Sequence, residues 1–221
     1  MTTAAVPRRP NCPAKRAFDV LLALISLPLA LPLAGFAGTL VALTLGRPIL
    51  FRQRRSGLRE RPFTLLKFRT MTTRVDSNGD LLPDERRLSA VGRLLRASSV
   101  DELPQFFNVL RGEMSFVGPR PLLARYSPCF LPLERRRFDA LPGVTGWAQV
   151  NGRDCSSWDE RLLDDAWYVQ NASFALDLRI LAMTLRRVLG ACGVRPSESG
   201  AMPALDAVRN ADSPTVLDRP L

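Results

Sequence analysis

The dominant feature of the hydropathy pattern is an uncharged, apolar run from position 20 to position 45. A helix needs about 20 such residues to span a bilayer, so this run is long enough to enter or cross a membrane. Pro28 and Pro32 lie near its middle. Because proline removes a helix hydrogen bond and crowds the preceding turn, we expect a bend near Pro32.

Three interpretations of this run are open: a cleaved signal peptide, a single-pass anchor, or a kinked helix that enters and leaves by the same membrane face. Lys15 and Arg16 precede the run, and six arginines follow it between residues 47 and 61. Basic flanks favour the cytoplasmic side, and only the re-entrant helix keeps both flanks there. The run also continues past the candidate cleavage site at 35–37. The re-entrant interpretation is therefore favoured over the other two.

The rest of the chain predicts a mixed fold, mainly α-helical with a small β-hairpin. Strand-like runs at 49–53 and 63–69 flank a basic loop and predict the hairpin. Helical patterning follows in further segments, at 86–96, 101–111, 132–140 and 159–170. Residues 173–190 carry one apolar stripe, formed by Phe174, Leu178, Leu181, Leu185 and Val188. This amphipathic helix packs either on the protein core or at a membrane interface.

These patterns divide the chain into four parts. They are a flexible lead at 1–14, the membrane helix at 15–46, a main domain at 47–192 and a disordered tail at 193–221. The tail is assigned to disorder because it is rich in Pro, Ser and Ala, a composition that buries little apolar surface.

Composition narrows the chemistry that the main domain can perform. The net charge is +10, so we expect anionic partners: nucleic acid, phosphorylated small molecules or anionic lipids. The chain has no histidine, which excludes Ser-His and Cys-His catalysis and His-ligated zinc. Its four cysteines form no CxxC pair, and free thiols in a reducing compartment are expected. Catalysis is left to carboxylates, Lys, Arg, Tyr, Cys or a metal held by oxygen.

Two adjacent carboxylates, Asp101 and Glu102, stand between a serine pair and Pro104. Because proline is tolerated only in the first turn of a helix, we expect the N-cap near Asp101. The pair is either a favourable helix start and nothing more, or an ionised site that attacks phosphorus or binds Mg²⁺. Cations able to neutralise a substrate phosphate occur nearby or at the end of the hairpin: Arg93, Arg96, Arg111, Arg120, Lys67 and Arg69.

Five sequence blocks carry a family resemblance. They are KRAFDVLLAL (15–24), LLKFRTM (65–71), DELPQFFNVLRGEMSFVGPRP (101–121), PGVTGWAQVNGR (142–153) and FALDLRIL (174–181). Together they resemble the bacterial sugar transferase family, the small monotopic phosphoglycosyl transferases that initiate glycan assembly on polyprenyl phosphate. The resemblance is collinear from about Lys15 to Gly190.

The resemblance implies a definite chemistry for the main domain. Such enzymes transfer sugar-1-phosphate from a UDP-sugar to undecaprenyl phosphate and release UMP, through a covalent phosphosugar-aspartate intermediate. By this resemblance Asp101 is the nucleophile, Glu102 is its partner, and Mg²⁺ binds at the dyad. Arg96 is expected to bind phosphate. Three further residues fall on positions of the family's active-site region: Lys67, Arg120 and Asp177.

The resemblance also implies a monotopic protein on the cytoplasmic face of the bacterial inner membrane. The re-entrant helix breaks at Pro32, although Leu31 stands where the family often has serine. Interfacial amphipathic helices then surround a cytosolic catalytic domain on an anionic bilayer, nucleic acid is not a partner, and a homo-oligomer is left open. Two other hypotheses remain: a non-catalytic membrane scaffold, and a basic nucleic-acid-binding protein, which lacks a recognisable reading motif.

Overall fold

The structure, a computed structural model, describes residues 11–151, 157–190 and 203–211. In this part of the chain α-helices alternate with short strands and 3₁₀ turns. The first half contains α1 (Pro13–Leu45), β1 (Leu50–Ser56), β2 (Pro62–Phe68), α2 (Asp84–Arg87), α3 (Ala90–Ala97) and α4 (Gln105–Arg111). The second half contains β3 (Ser115–Val117), β4 (Gly143–Thr145), α5 (Trp147–Asn151), α6 (Trp158–Asn171), α7 (Phe174–Leu189) and α8 (Leu205–Ala211). The predicted mixed, mainly helical fold with a hairpin is confirmed.

The apolar run forms α1, which is long and apolar enough to cross a membrane. The helix passes through Pro28 and Pro32 without interruption and ends at Gly46, whose φ is 72°. The bend near Pro32 stays a prediction. Many of its large side chains are exposed; Leu29, for example, is 78% exposed. This exposure suits lipid rather than water as the surrounding medium.

Both halves of α1 contact the same body of the protein. In the first half, Ala23 is buried in a cluster with Val109 and Phe116. In the second half, Val41 is buried with Phe68 in a separate cluster. The long helix is therefore tied at two places to one domain.

Strands β1 and β2 form the predicted hairpin, an antiparallel pair that matches Leu50 with Phe68 and Gln53 with Leu65. Leu65 and Phe68 are buried in the core. This register fixes β2 beside α4, where it contributes a charged residue, Lys67, to the site described below.

A second sheet, which the sequence pattern did not predict, pairs β3 and β4 in parallel through Ser115–Gly143 and Val117–Thr145. Its backbones approach closely just after β3, since a Cβ added to Gly143 would lie 2.1 Å from the backbone nitrogen of Gly118. Glycine is required there because any side chain would push the two segments apart. The pairing holds the Pro-Arg-Pro segment that follows Gly118 in a defined place.

Helix α7 confirms the predicted amphipathic helix, but four of the five stripe residues are turned outward. Phe174, Leu178, Leu185 and Val188 are all about half exposed, between 45% and 58%. The inward face instead buries Ile180. Leu181, the fifth residue of the stripe, packs against the core cluster. Most of the stripe is therefore exposed, and one residue of it contributes to the core.

The C-terminal region departs from the predicted disorder, because residues 205–211 form α8. Leu205 is fully buried in a cluster with Tyr126, Phe138 and Leu162. Arg209 forms ion pairs with Glu134 and Asp159 at 2.7 and 2.6 Å. The burial of Leu205 in this cluster orders the segment. The average composition of the tail does not reveal such a contact. The rest of the predicted tail and most of the predicted N-terminal lead lie outside the described residues.

Other boundaries differ from the pattern by a few residues or in helix type. The helix expected at 86–96 is divided into α2 and α3, and the one expected at 132–140 is a 3₁₀ helix, Glu134–Asp139. A short helix, α5, lies between the segments 132–140 and 159–170, where no helix was predicted.

Asn108 joins α4 to β2 and provides a test of this packing. Its side-chain amide donates to the Thr64 carbonyl at 2.8 Å and accepts from the Leu66 N–H at 3.2 Å, with no exposed surface. We expect Asn108→Ala to lower the free energy of unfolding by about 2 kcal/mol, because both β2 groups lose their partner in a buried place. Asn171→Ala, which removes an exposed hydrogen bond to Trp167, should change it by less than about 0.5 kcal/mol. Denaturant unfolding in detergent measures both, and equal effects would contradict this role of Asn108.

Candidate active site

Asp101 and Glu102 lie in a 3₁₀ turn, Val100–Glu102, between α3 and α4. Ser99 adopts a left-handed conformation with φ 56°, which ends α3 and redirects the chain into this turn. Helix α4 begins only at Gln105, with Pro104 at its N-cap. The prediction of an N-cap near Asp101 is therefore wrong, because Pro104 fits the position before the first helical residue as well as the first turn. Asp101 is held by the turn and is only 7% exposed.

Glu102 is the anchor of a group of opposite charges. Its carboxylate forms an ion pair with Lys67 of β2 and lies 3.6 Å from the guanidinium of Arg120. Gln105 also donates a hydrogen bond to it. Burial alone would raise the pKa of Glu102, but the positive charges of Arg120 and Lys67 outweigh burial and hold it below its ordinary value.

Asp101 has the opposite balance. Burial raises its pKa above the ordinary value, and the neighbouring Glu102 charge acts in the same direction, whereas Lys67, Arg96 and Arg120 counteract the rise. The three surrounding cations, and not a helix start, therefore favour the ionised form of Asp101. The pKa values of the two adjacent carboxylates are shifted in opposite directions. Glu102 is therefore the fixed negative charge, and Asp101 is the more basic group.

Arg96 and Arg120 reach the dyad from different directions. Arg96, on α3, donates from Nε to the Thr70 hydroxyl at 3.1 Å, which orients its guanidinium. Arg120 follows β3 between two prolines, and its side chain is 49% exposed. Five predicted residues are thus brought together: Asp101, Glu102, Lys67, Arg96 and Arg120.

Asp177, the remaining predicted site residue, has a different place. It forms an ion pair with Lys15 at the base of α1, at 2.6 Å, and accepts a hydrogen bond from Tyr168 at 2.6 Å. The residue is 3% exposed. The structure therefore places it as an anchor between α1, α6 and α7 and does not bring it to the dyad.

The donor atoms at the dyad are compatible with one hard cation. Within the described residues there is no group of three or more His, Cys, Asp or Glu arranged to hold a metal. Mg²⁺ needs less, since it commonly takes one or two carboxylates and completes its shell with water and phosphate oxygens. The Asp101 carboxylate, which has no hydrogen bond to any described residue, and the adjacent Glu102 carboxylate meet that requirement.

An apolar groove of about 1410 Å³ opens beside the dyad. Its walls are the second half of α1, the start of β1, Phe107 of α4, and Leu103 and Pro104, which come directly after the dyad. Arginines stand among the lining residues, at positions 47, 52 and 69. A long apolar chain carrying an anionic head group would match this combination of surfaces.

A buried ion pair behind Arg120 was not predicted. Arg137 and Asp165 lie 2.8 Å apart, with side chains only 2% and 6% exposed. Arg137 belongs to a run of three arginines that suggests a solvated surface, and Asp165 to a helix of mixed charge. Only the tertiary structure shows that both are inside, so no sequence signal was available.

Comparison with known proteins identifies the family of the chain. The chain matches the family described as bacterial sugar transferase over residues 10–191 and belongs to that family. It is 50% identical over 181 residues to the uncharacterized sugar transferase EpsL of Bacillus subtilis, covering 82% of this chain and 90% of EpsL. The predicted family is thereby confirmed.

Two further relatives have names that state a reaction. A UDP-glucose:undecaprenyl-phosphate glucose-1-phosphate transferase of Caulobacter vibrioides is 40% identical over 186 residues, 79% of this chain and 69% of its own. A UDP-N-acetylgalactosamine-undecaprenyl-phosphate N-acetylgalactosaminephosphotransferase of Aeromonas hydrophila is 37% identical over 189 residues, 82% of this chain. The chain spans only 45% of the Aeromonas protein.

The charge balance at Glu102 can be tested through stability. Glu102→Gln removes the ion pair of Lys67, whose side chain is only 19% exposed, and leaves three cations around the single carboxylate of Asp101. We expect a loss of about 2 kcal/mol in the free energy of unfolding. Asp84→Asn, which breaks the ion pair with Arg87 at an aspartate that is 60% exposed, should cost less than about 0.5 kcal/mol. Denaturant unfolding of both variants in detergent decides this, and a harmless Glu102→Gln would contradict the assigned role.

Proposed function

We propose that this protein is a phosphoglycosyl transferase that moves sugar-1-phosphate from a UDP-sugar to undecaprenyl phosphate and releases UMP. Membership of the sugar transferase family and the names of the Caulobacter and Aeromonas relatives support the reaction class. The observation that carries the proposal is the buried Asp101–Glu102 dyad, with Lys67, Arg96 and Arg120 around it. A carboxylate nucleophile surrounded by cations suits attack on a doubly charged diphosphate.

The proposed reaction has two steps at one phosphorus atom. An oxygen of Asp101 attacks the β-phosphorus of the UDP-sugar, the bond from that phosphorus to the bridging oxygen breaks, and UMP leaves with the electron pair. The enzyme then carries the sugar phosphate as an acyl phosphate on Asp101. A phosphate oxygen of the lipid acceptor attacks the same phosphorus, and the Asp101 carboxylate leaves. The raised pKa of Asp101 favours the first step, because a more basic carboxylate is the better nucleophile.

The neighbouring residues supply position and charge. Glu102, fixed by Lys67, keeps the cations at the dyad and prevents them from pairing directly with Asp101. Arg96 and Arg120 are free to face the diphosphate, and a planar guanidinium can donate two parallel hydrogen bonds to phosphate oxygens. Their charges lower the repulsion between the Asp101 carboxylate and the incoming anion.

A magnesium ion is part of the proposal as a cofactor. Asp101 and Glu102 are the residues that would hold it, together with substrate phosphate oxygens. When bound, it would supply further positive charge to the diphosphate and to the departing UMP.

The lipid acceptor is proposed to lie in the apolar groove between α1 and β1. Leu103 and Pro104, which follow the dyad directly in sequence, line the groove. A chain bound there would have its phosphate close to Asp101. The outward apolar stripe of α7 supports a position at the membrane surface, where the soluble and the lipid substrate meet.

We also propose that α1 is re-entrant and that the domain lies on the cytoplasmic face of the inner membrane. Lys15 and Asp19, in the first turns of α1, bind Asp177 and Ser115. Val41, near the other end, packs on Phe68 of the same domain. A helix that crossed the bilayer would separate these contacts by about 30 Å of hydrocarbon. The basic flanks support the cytoplasmic face.

Loss of the nucleophile gives the first test of this function. Asp101→Asn keeps the shape of the side chain but removes the attacking charge, and we expect UMP release to fall roughly a thousandfold or more. Release is measured with Mg²⁺, undecaprenyl phosphate and a panel containing UDP-glucose and UDP-N-acetylgalactosamine. Asp80→Asn, at an exposed loop position, should keep wild-type rates. Full turnover by Asp101→Asn, or no activity of the wild type with any UDP-sugar, would refute the proposal.

Accessibility labelling tests the topology of α1. Single cysteines at positions 5 and 61, in a protein without its native cysteines, should both react with a membrane-impermeant reagent in inside-out vesicles and neither in intact spheroplasts. A cysteine at Leu29, in the middle of α1, is expected to be shielded in both. Labelling of positions 5 and 61 from opposite faces would establish a spanning helix instead.

A further inference from the structure

The backbone of Arg120 is held by the buried ion pair of Arg137 and Asp165. Arg137 donates from Nη2 to the carbonyl oxygen of Arg120 at 2.6 Å and to Oδ2 of Asp165 at 2.8 Å. The Asp165 carboxylate in turn accepts a hydrogen bond from the backbone of Arg120. The backbone of Arg120 is therefore hydrogen-bonded to two side chains of opposite charge, Arg137 and Asp165.

Stability alone does not explain this ion pair. A buried pair must be stripped of water, and well-packed apolar residues of similar size often stabilise a protein equally or better. Here the Arg137 guanidinium is enclosed by Phe130 and Phe138, whose ring centroids lie 5.4 and 5.7 Å away. An apolar side chain would suit these neighbours, but it could not hold the backbone of Arg120.

The segment around Arg120 is restrained on both sides as well. Pro119 and Pro121 fix their own φ angles, and the Pro119 carbonyl accepts from Gly143 of β4 at 2.9 Å. Only the side chain of Arg120 is left free to extend toward Glu102. A fixed backbone with a projecting guanidinium limits the positions that the charge can take.

We propose that Arg137 and Asp165 are positioning residues that place the Arg120 guanidinium between Glu102 and the diphosphate of the substrate. Their hydrogen bonds join them to each other and to the backbone of Arg120, through which they act. This inference rests on the proposed function, since the diphosphate is the group that Arg120 is positioned to meet. A shift of about 1 Å in such a group can change a rate by as much as a hundredfold.

A double-mutant cycle with Arg120 tests the coupling on the full-length protein in detergent. Asp165→Asn removes the charge with little change in shape, and Arg137→Lys keeps the charge but replaces the planar fork by a point donor. We expect each to lower kcat/KM for UMP release about tenfold in wild-type background, and less than about twofold when Arg120 is already alanine. Arg135→Lys is the matched control, since Arg135 lies on the same 3₁₀ helix and pairs with Glu60 at the surface; it should leave the rate unchanged.

The cycle has outcomes that overturn the proposal. Equal losses in the wild-type and Arg120→Ala backgrounds would mean that the pair acts through general folding and not through Arg120. Wild-type rates in both variants would mean that the Arg137–Asp165 pair does not position Arg120. If Asp165→Asn does not fold, the same criteria apply to Arg137→Lys alone, which retains the buried charge balance.

A spectroscopic measurement separates this inference from the proposed function. In protein labelled with ¹⁵N-arginine, the Nε–H resonance of Arg120 is identified by its loss in Arg120→Lys and needs no substrate. Arg137→Lys and Asp165→Asn should shift or broaden it, and Arg135→Lys should not. If the wild type releases no UMP but the resonance responds in this way, the reaction is wrong and the positioning holds. An unchanged resonance in both variants would overturn the positioning itself.

Discussion

The ion pairs of Glu102 with Lys67 and Arg120 join three segments that are distant in sequence: β2, the turn before α4, and the segment after β3. A second carboxylate, Asp101, is buried directly beside Glu102. Two adjacent, partly desolvated carboxylates repel each other, so this arrangement depends on the cations that surround it. Because Lys67 pairs with Glu102, the Asp101 carboxylate has no hydrogen-bond partner among the described residues. Its pKa is raised, so it is the more basic of the two carboxylates.

The rest of the fold serves to hold these charges in place. Asn108 fixes α4 against β2, and the close contact of Gly118 with Gly143 fixes the start of the Pro-Arg-Pro segment. The two tethered ends of α1 hold the groove next to the dyad. On the account proposed above, a lipid phosphate and a soluble nucleotide sugar reach the same carboxylate because the dyad lies at the border between α1 and the cytosolic domain.

The sequence allowed the dyad and most of its cations to be predicted, because each carries a local signal. Pro104 predicts a helix start close to the dyad. Because the proline itself occupies the N-cap, helix α4 begins several residues later than expected. Lys67 could be placed at the end of a strand, but its ion pair with Glu102 depends on the hairpin packing against α4. Asp177 was assigned to the substrate by resemblance, whereas its burial against Lys15 is a tertiary fact.

Other features could not be predicted since they depend on burial that no local pattern encodes. Arg137 lies in an arginine run typical of a solvated surface, yet its guanidinium is enclosed by aromatic rings. The stripe of α7 was recognised, but periodicity does not tell which medium an apolar face meets. Leu205 orders part of a tail whose composition predicts disorder, because one leucine enters a pocket formed by distant segments.

The central claim is that Asp101 carries the sugar phosphate between the two substrates. Intact-protein mass spectrometry after incubation with a UDP-sugar and Mg²⁺, without lipid acceptor, tests it most directly. The account predicts a mass increase equal to one sugar phosphate, located by peptide mapping on Asp101 and removed when undecaprenyl phosphate is added. Turnover with acceptor from a protein that never gains this mass, or the same adduct on Asp101→Asn, would contradict it.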